Sequence, residues 1–155
     1  MNPSPNTPAA LFVSKALSDT AEFAKQIVLS LQPHSTTATI LALSGDLGSG
    51  KTAFVKALAS ALGIKETITS PTFVIEQIYT LPKGAIFDRL IHIDAYRLEK
   101  SSELERLGWA EIATNPRNLI CLEWPENVVG LSHFDNAREL KFHFIDENTR
   151  EISFS

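Results

Sequence analysis

The chain has 155 residues, 44% of them hydrophobic and 21% charged, with a formal net charge of −4. That composition supports one folded core and lacks the basic excess of a protein that grips nucleic acid directly. Its single cysteine, Cys121, excludes an internal disulfide framework or a cysteine metal cluster and favours a reducing, cytoplasmic setting, and no apolar run reaches the eighteen or so residues of a membrane span.

The N-terminus, MNPSPNTPAA, is polar and Pro-rich, without the basic and apolar regions of a signal peptide. Residues 1–9 are expected to form a flexible tail and residues 10–155 a single domain. Leu11-Phe12-Val13 suits a short edge strand. Ser18 to Leu31 reads as an amphipathic helix, with Ser18 as its cap and Phe23, Ile27, Val28 and Leu31 as its apolar stripe. Thr37 to Leu43 is a β-branched and apolar run, expected to be a strand buried on both faces. A Gly-rich loop follows. Lys51 to Leu62 is then expected to be helical, with Phe54, Val55, Leu58 and Leu62 inward and Gly63 as its stop.

Thr69-Ser-Pro-Thr72 breaks the pattern. Phe73 to Thr80 reads as a strand with Phe73 and two isoleucines on one face. Leu81-Pro-Lys-Gly84 is a turn signal, and Arg89 to Asp94 is a second strand. Their connection is too short for a helical crossover, so the two strands are expected to be antiparallel. Ser101 to Glu105 begins a short helix, with Ser102 and Glu105 in capping-box positions. Asn118 to Glu123 is a further buried strand. Glu139 to Ile145 and Glu151 to Phe154 alternate around Asp146-Glu-Asn-Thr149 as a C-terminal hairpin. The fold class is α/β: a P-loop nucleotide-binding fold with a mixed parallel and antiparallel sheet flanked by helices.

The Gly-rich stretch reads GDLGSGKT and spans Gly45, Asp46, Leu47, Gly48, Ser49, Gly50, Lys51 and Thr52. It matches the phosphate-loop pattern G-x-x-x-x-G-K-[ST] between a buried strand and a helix. Glycines let backbone amides point into one concavity, and the helix adds the positive end of its dipole. Lys51 offers a cation to β and γ phosphates, and the Thr52 hydroxyl can ligate Mg²⁺. Magnesium also needs carboxylates, and two stand at the ends of apolar strands: Asp94 and Glu123. Asp94 suits a metal or metal-water ligand. Glu123 suits a second metal contact or the base that orients an attacking water. Thr72 lies in a segment that can sense a γ-phosphate or simply form a Pro turn. Trp124, directly after Glu123, either packs over the site or joins the core. His92, inside a strand, reads as structural. The Asn-Lys-x-Asp motif of guanine readers is absent, so ATP is the expected nucleotide. Beyond Glu123 only Arg138 and Arg150 occur, without the Arg-rich cluster of a small-molecule kinase lid.

GDLGSGKT, ITSPTFVIEQIY, IHIDAYRL, LGWAEI and ICLEWPENV, in that order and spacing, resemble the bacterial TsaE (YjeE-type) family, over residues 11 to 145 or so. The resemblance implies a P-loop ATPase of tRNA threonylcarbamoyladenosine biosynthesis that binds ATP weakly and hydrolyses it slowly. It implies protein partners of TsaD and TsaB type, which form the threonylcarbamoyl-transfer complex and raise that activity. The complex modifies adenosine 37, so tRNA is met only indirectly. Hydrolysis is expected to reset the complex between turnovers. Lys51 and Thr52 match the family's P-loop pair, Thr72 the threonine of its SPTF segment, and Trp124 the tryptophan beside the nucleotide. Asp94 and Glu123 match its magnesium and hydrolysis carboxylates. Ala95 stands where the family usually has Leu. Two other readings share the P-loop: a small-molecule kinase, and a non-catalytic module whose binding surface is set by nucleotide.

Overall fold

The computed structural model describes residues 10–68 and 75–155. The expected tail at 1–9, and Thr72 with the first residues of the Phe73–Thr80 strand, lie outside the described residues. Among those described, the elements run β1 (Ala10–Ser14), α1 (Leu17–Ser30), β2 (Thr39–Ser44), α2 (Lys51–Ala61), β3 (Glu76–Thr80), β4 (Arg89–Asp94), α3 (Ser101–Arg106), α4 (Trp109–Ala113), β5 (Asn118–Glu123), a 3₁₀ turn at Pro125–Val128, β6 (Arg138–Phe144) and β7 (Arg150–Phe154).

The strands form one seven-stranded sheet in the order β1-β7-β6-β2-β5-β4-β3. The centre is parallel: β2 pairs with both β5 and β6, and β5 pairs with β4. The two margins are antiparallel, with β3 against β4, β7 against β6 and β1 against β7. The expected mixed sheet and the antiparallel β3–β4 pair are both present.

Central position explains composition. Every residue of β5 is buried, as is every residue of β2 up to Leu43. A strand covered on both faces needs apolar side chains in both phases of its pleat. One phase, with Leu41, Leu43, Leu119, Cys121, Leu140 and Phe142, packs under α1 and α2. The other, with Ile40, Ile91, Ile93, Ile120 and Leu122, packs with α3 and α4 around Trp109. The sheet therefore separates two cores.

Three local expectations fail for physical reasons. Ser18 lies inside α1, whose N-cap is Ala16, with no side-chain cap bond. Asp19 serves that end instead, its carboxylate accepting from Lys15 N at 2.9 Å. Ser102 and Glu105 form no capping box, because Lys100 is the N-cap of α3. The Glu105 carboxylate accepts from Ser132 N at 2.9 Å, a tertiary contact that takes it away from the helix end. On β3, Ile78 faces outward, 49% exposed, and Tyr79 turns into the core. An edge strand covers only one face well, and here the aromatic residue takes it.

The C-terminal ends of β2, β4 and β5 lie level along one edge of the parallel centre. The register pairs Asp94 with Glu123 and Leu43 with Glu123. That edge is where α/β sheets with parallel centres bind ligands.

Candidate functional site

The loop at 45–50 leaves the end of β2 and enters α2 at Lys51. Two glycines are required by geometry. Gly45 has φ +141°, and a Cβ there would meet the Phe142 carbonyl oxygen at 2.4 Å. Gly50 is the N-cap of α2 with φ +106°, which turns the chain sharply into the helix. The loop closes on itself through Ser49 N donating to Asp46 O at 3.1 Å. Asp46, Leu47 and Gly48 are exposed at its tip, while Ser49 is buried. The Ser49 hydroxyl is buried without a hydrogen-bond partner among the described residues. Such an orphan donor at a loop built for backbone amides leaves capacity for an external acceptor.

Lys51 and Thr52 form the first turn of α2. Lys51 is buried, its Nζ donating to the Gly45 carbonyl and standing 3.7 Å from the centre of the Trp124 ring. Burial lowers its pKa, while the carboxylates of Glu123, Glu126, Asp94 and Asp46 raise it. Thr52 Oγ1 donates to Glu123 Oε1 at 3.5 Å. The second Glu123 oxygen, Oε2, lies 2.6 Å from His92 Nε2. Both residues of that pair are buried, His92 completely.

Asp94 closes β4 and is half-buried. Its Oδ1 accepts from Tyr96 N at 2.9 Å. Burial raises its pKa, with Glu123 pushing the same way; the Tyr96 N–H, His92 and Lys51 oppose the shift. Two carboxylates level on adjacent strands repel each other unless a cation stands between or beside them.

Trp124 follows Glu123 in the left-handed region, at φ 61°. A bulky residue there is strained, and such strain collects at functional positions. Its N–H donates to Leu43 O at 3.1 Å, which ties the end of β5 to the end of β2. Its ring contacts Tyr96 at a centroid distance of 5.0 Å.

The fold thus brings Lys51, Thr52, Asp94, Glu123 and Trp124 to one corner, with the Gly-rich loop as its floor. Three contributors escaped the sequence reading: His92, Tyr96 and Glu126. His92 was legible in principle, since it sits two residues before Asp94 and so on the same face of β4. Its partner could be known only once β4 and β5 were in register.

Hydroxyl and carboxylate oxygens make a hard donor set, which suits Mg²⁺. Among the described residues no three His, Cys, Asp or Glu side chains converge to hold a metal unaided. No helix among the described residues is long and apolar enough to cross a membrane.

Known proteins resemble this chain over most of its length. The family model described as threonylcarbamoyl adenosine biosynthesis protein TsaE matches residues 14–152. A tRNA threonylcarbamoyladenosine biosynthesis protein TsaE of Borreliella burgdorferi is 39% identical over 106 residues, covering 68% of this chain and 74% of its own. The protein of the same name from Rickettsia prowazekii is 39% identical over 133 residues, covering 79% and 85%. That from Aquifex aeolicus is 33% identical over 138 residues, covering 86% of each. Among solved structures, a Bacillus protein, YdiB, superposes with a TM-score of 0.71 over 97% of this chain and 87% of its own, at 23% identity, which shows a shared fold. With its family model spanning nearly the whole chain, this protein belongs to the TsaE family of tRNA threonylcarbamoyladenosine biosynthesis proteins.

Proposed function

We propose that this chain is a Mg²⁺-dependent ATPase. It serves threonylcarbamoyladenosine formation at adenosine 37 of tRNA and acts with transfer-complex proteins of TsaD and TsaB type. One observation carries the reading. Lys51 and Thr52 open α2 within reach of a strand-end carboxylate, Glu123, whose Oε1 is 3.5 Å from Thr52 Oγ1, with Asp94 level beside it.

ATP supplies the transferable phosphoryl group, and Mg²⁺ screens its charge when both are bound. The chain's own residues supply the rest. The loop amides of residues 45–50 and the start of α2 receive phosphate oxygens. Lys51 would pair with them in place of the Gly45 carbonyl. Thr52 and Asp94 would hold the cation. Glu123 would orient the attacking water or give the cation a second oxygen. Trp124, beside Lys51, would pack along the nucleotide. Thr72 belongs to the same reading as a γ-phosphate sensor.

The weak net negative charge supports reaching tRNA through partners rather than by direct contact. Hydrolysis resets the partner complex between turnovers. A kinase reading calls for an arginine cluster at the loop: Arg138 lies over Phe154 on the hairpin, while Arg150, over Phe144, stands alone of the two beside Gly50. A purely nucleotide-set binding module is separated by Glu123→Ala, which spares such a module and disables an ATPase. Deleting the gene, in a host without a second copy, is expected to abolish the modified adenosine in digested tRNA. Unchanged modification would contradict the proposal.

A further inference from the structure

We infer that His92 is a positioning residue that fixes the rotation of the Glu123 carboxylate. The inference deepens the ATPase reading and rests on it for its kinetic part. A terminal carboxylate torsion is broad and two-fold, so Glu123 left alone would present either oxygen to the loop. In this fold it has one arrangement. Oε2 meets His92 Nε2 at 2.6 Å, and Oε1 is left to face Thr52 Oγ1 at 3.5 Å.

The pair lies where water cannot compete. His92 is fully buried and Glu123 nearly so. Both stand on inner, hydrogen-bonded strands, β4 and β5, two pairing positions apart and so on one face of the sheet: His92 is level with Cys121 and Asp94 with Glu123. The imidazole is thus carried by the rigid sheet, not by a loop. A carboxylate accepts, so Nε2 carries the hydrogen. Outer partners of this kind orient a working carboxylate or imidazole, and their loss typically weakens function without removing the fold. Any buried histidine needs a partner for its ring nitrogens; here the partner of Nε2 is the carboxylate that faces Thr52.

Two variants and one spectrum test this. In the complete chain with its transfer-complex partners, His92→Leu keeps the volume apolar and removes the donor. It is expected to lower the maximal hydrolysis rate about 10- to 100-fold, with Mg-ADP affinity, read from Trp124 fluorescence, nearly unchanged. His92→Gln, whose amide can reach the Nε2 position, is expected to recover part of that rate. A wild-type rate in His92→Leu would overturn the inference. So would equal losses in both variants with affinity lost as well, which is the mark of general damage.

The spectrum stands apart from hydrolysis. In ¹⁵N ring spectra of the wild-type chain, His92, assigned by its absence from His92→Gln, is expected to carry its hydrogen on Nε2. That signal is expected to shift in Glu123→Gln. A bare Nε2, or a signal indifferent to Glu123→Gln, overturns the inference. If the wild-type chain hydrolyses no ATP with its partners, the ATPase reading falls, and the ring spectrum decides the role of His92 by itself.

Discussion

Lys51 stands in a small field of carboxylates, with Glu123, Glu126, Asp94 and Asp46 all raising its pKa against the cost of burial. Electrostatic groups placed this way give large effects when removed. Lys51→Ala, Asp94→Ala and Glu123→Ala are each expected to lower partner-stimulated hydrolysis by ~10²–10³ while leaving the circular dichroism of the fold intact. Near-normal hydrolysis in Asp94→Ala would remove that residue from the site. Asp94 also gives a prediction with two signs. Its folded pKa is raised, by burial first, so the stability it lends is present below its unfolded pKa and lost as pH rises through the folded one. Asp94→Asn keeps the acceptor for Tyr96 N and deletes the charge. At neutral pH it is therefore expected to raise the melting temperature while lowering hydrolysis; a fall in both would contradict this. Lys51, Thr52, Asp94 and Glu123, which the fold brings to one corner, were legible as candidates because each type has a fixed place in a motif: a lysine and a threonine after a glycine, an acid after an apolar strand. The partner of His92 was not, because Glu123 is 31 positions away and meets it only through sheet register.

At the scale of elements, the loop between β2 and α2 depends on a close backbone approach. Gly45→Ala must fit a methyl 2.4 Å from the Phe142 carbonyl oxygen at a φ of +141°. It is expected to cost about 1–3 kcal/mol and to be visible in chemical denaturation. Denaturation unchanged by Gly45→Ala would show that β6 can retreat from the loop. The strands and the C-terminal hairpin were readable from period and turn residues, since local pattern determines them. Helix caps were not. The acids near the starts of α1 and α3 had several possible partners, and Glu105 was taken by Ser132 across 27 residues. Ile78 failed for a simpler reason: it lies three residues from Ile75, and strict alternation puts the two on opposite faces of a strand.

For the whole molecule, two cores on opposite faces of the sheet hold the site's three strand ends in place. The smaller centres on Trp109, fully buried, with its Nε1 donating to Ser132 O at 2.6 Å. Trp109→Ala is expected to cost about 3–5 kcal/mol, read as a lowered denaturation midpoint. An unchanged midpoint would mean that α3 and α4 contribute little to the fold. The α/β class and the mixed sheet were legible from the chain, but the strand order was not. Placing β6 beside β2, about a hundred residues away in sequence, needs the long-range pairing of Leu41 with Arg138 that no local pattern signals. A corner that hydrolyses ATP in the service of a partner complex should answer to that complex. The direct measurement is ATP turnover by the purified chain, alone and with the TsaD- and TsaB-type proteins, at matched Mg²⁺. A low rate that rises sharply with the partners is expected. A rate indifferent to them, or none in either case, would contradict the account.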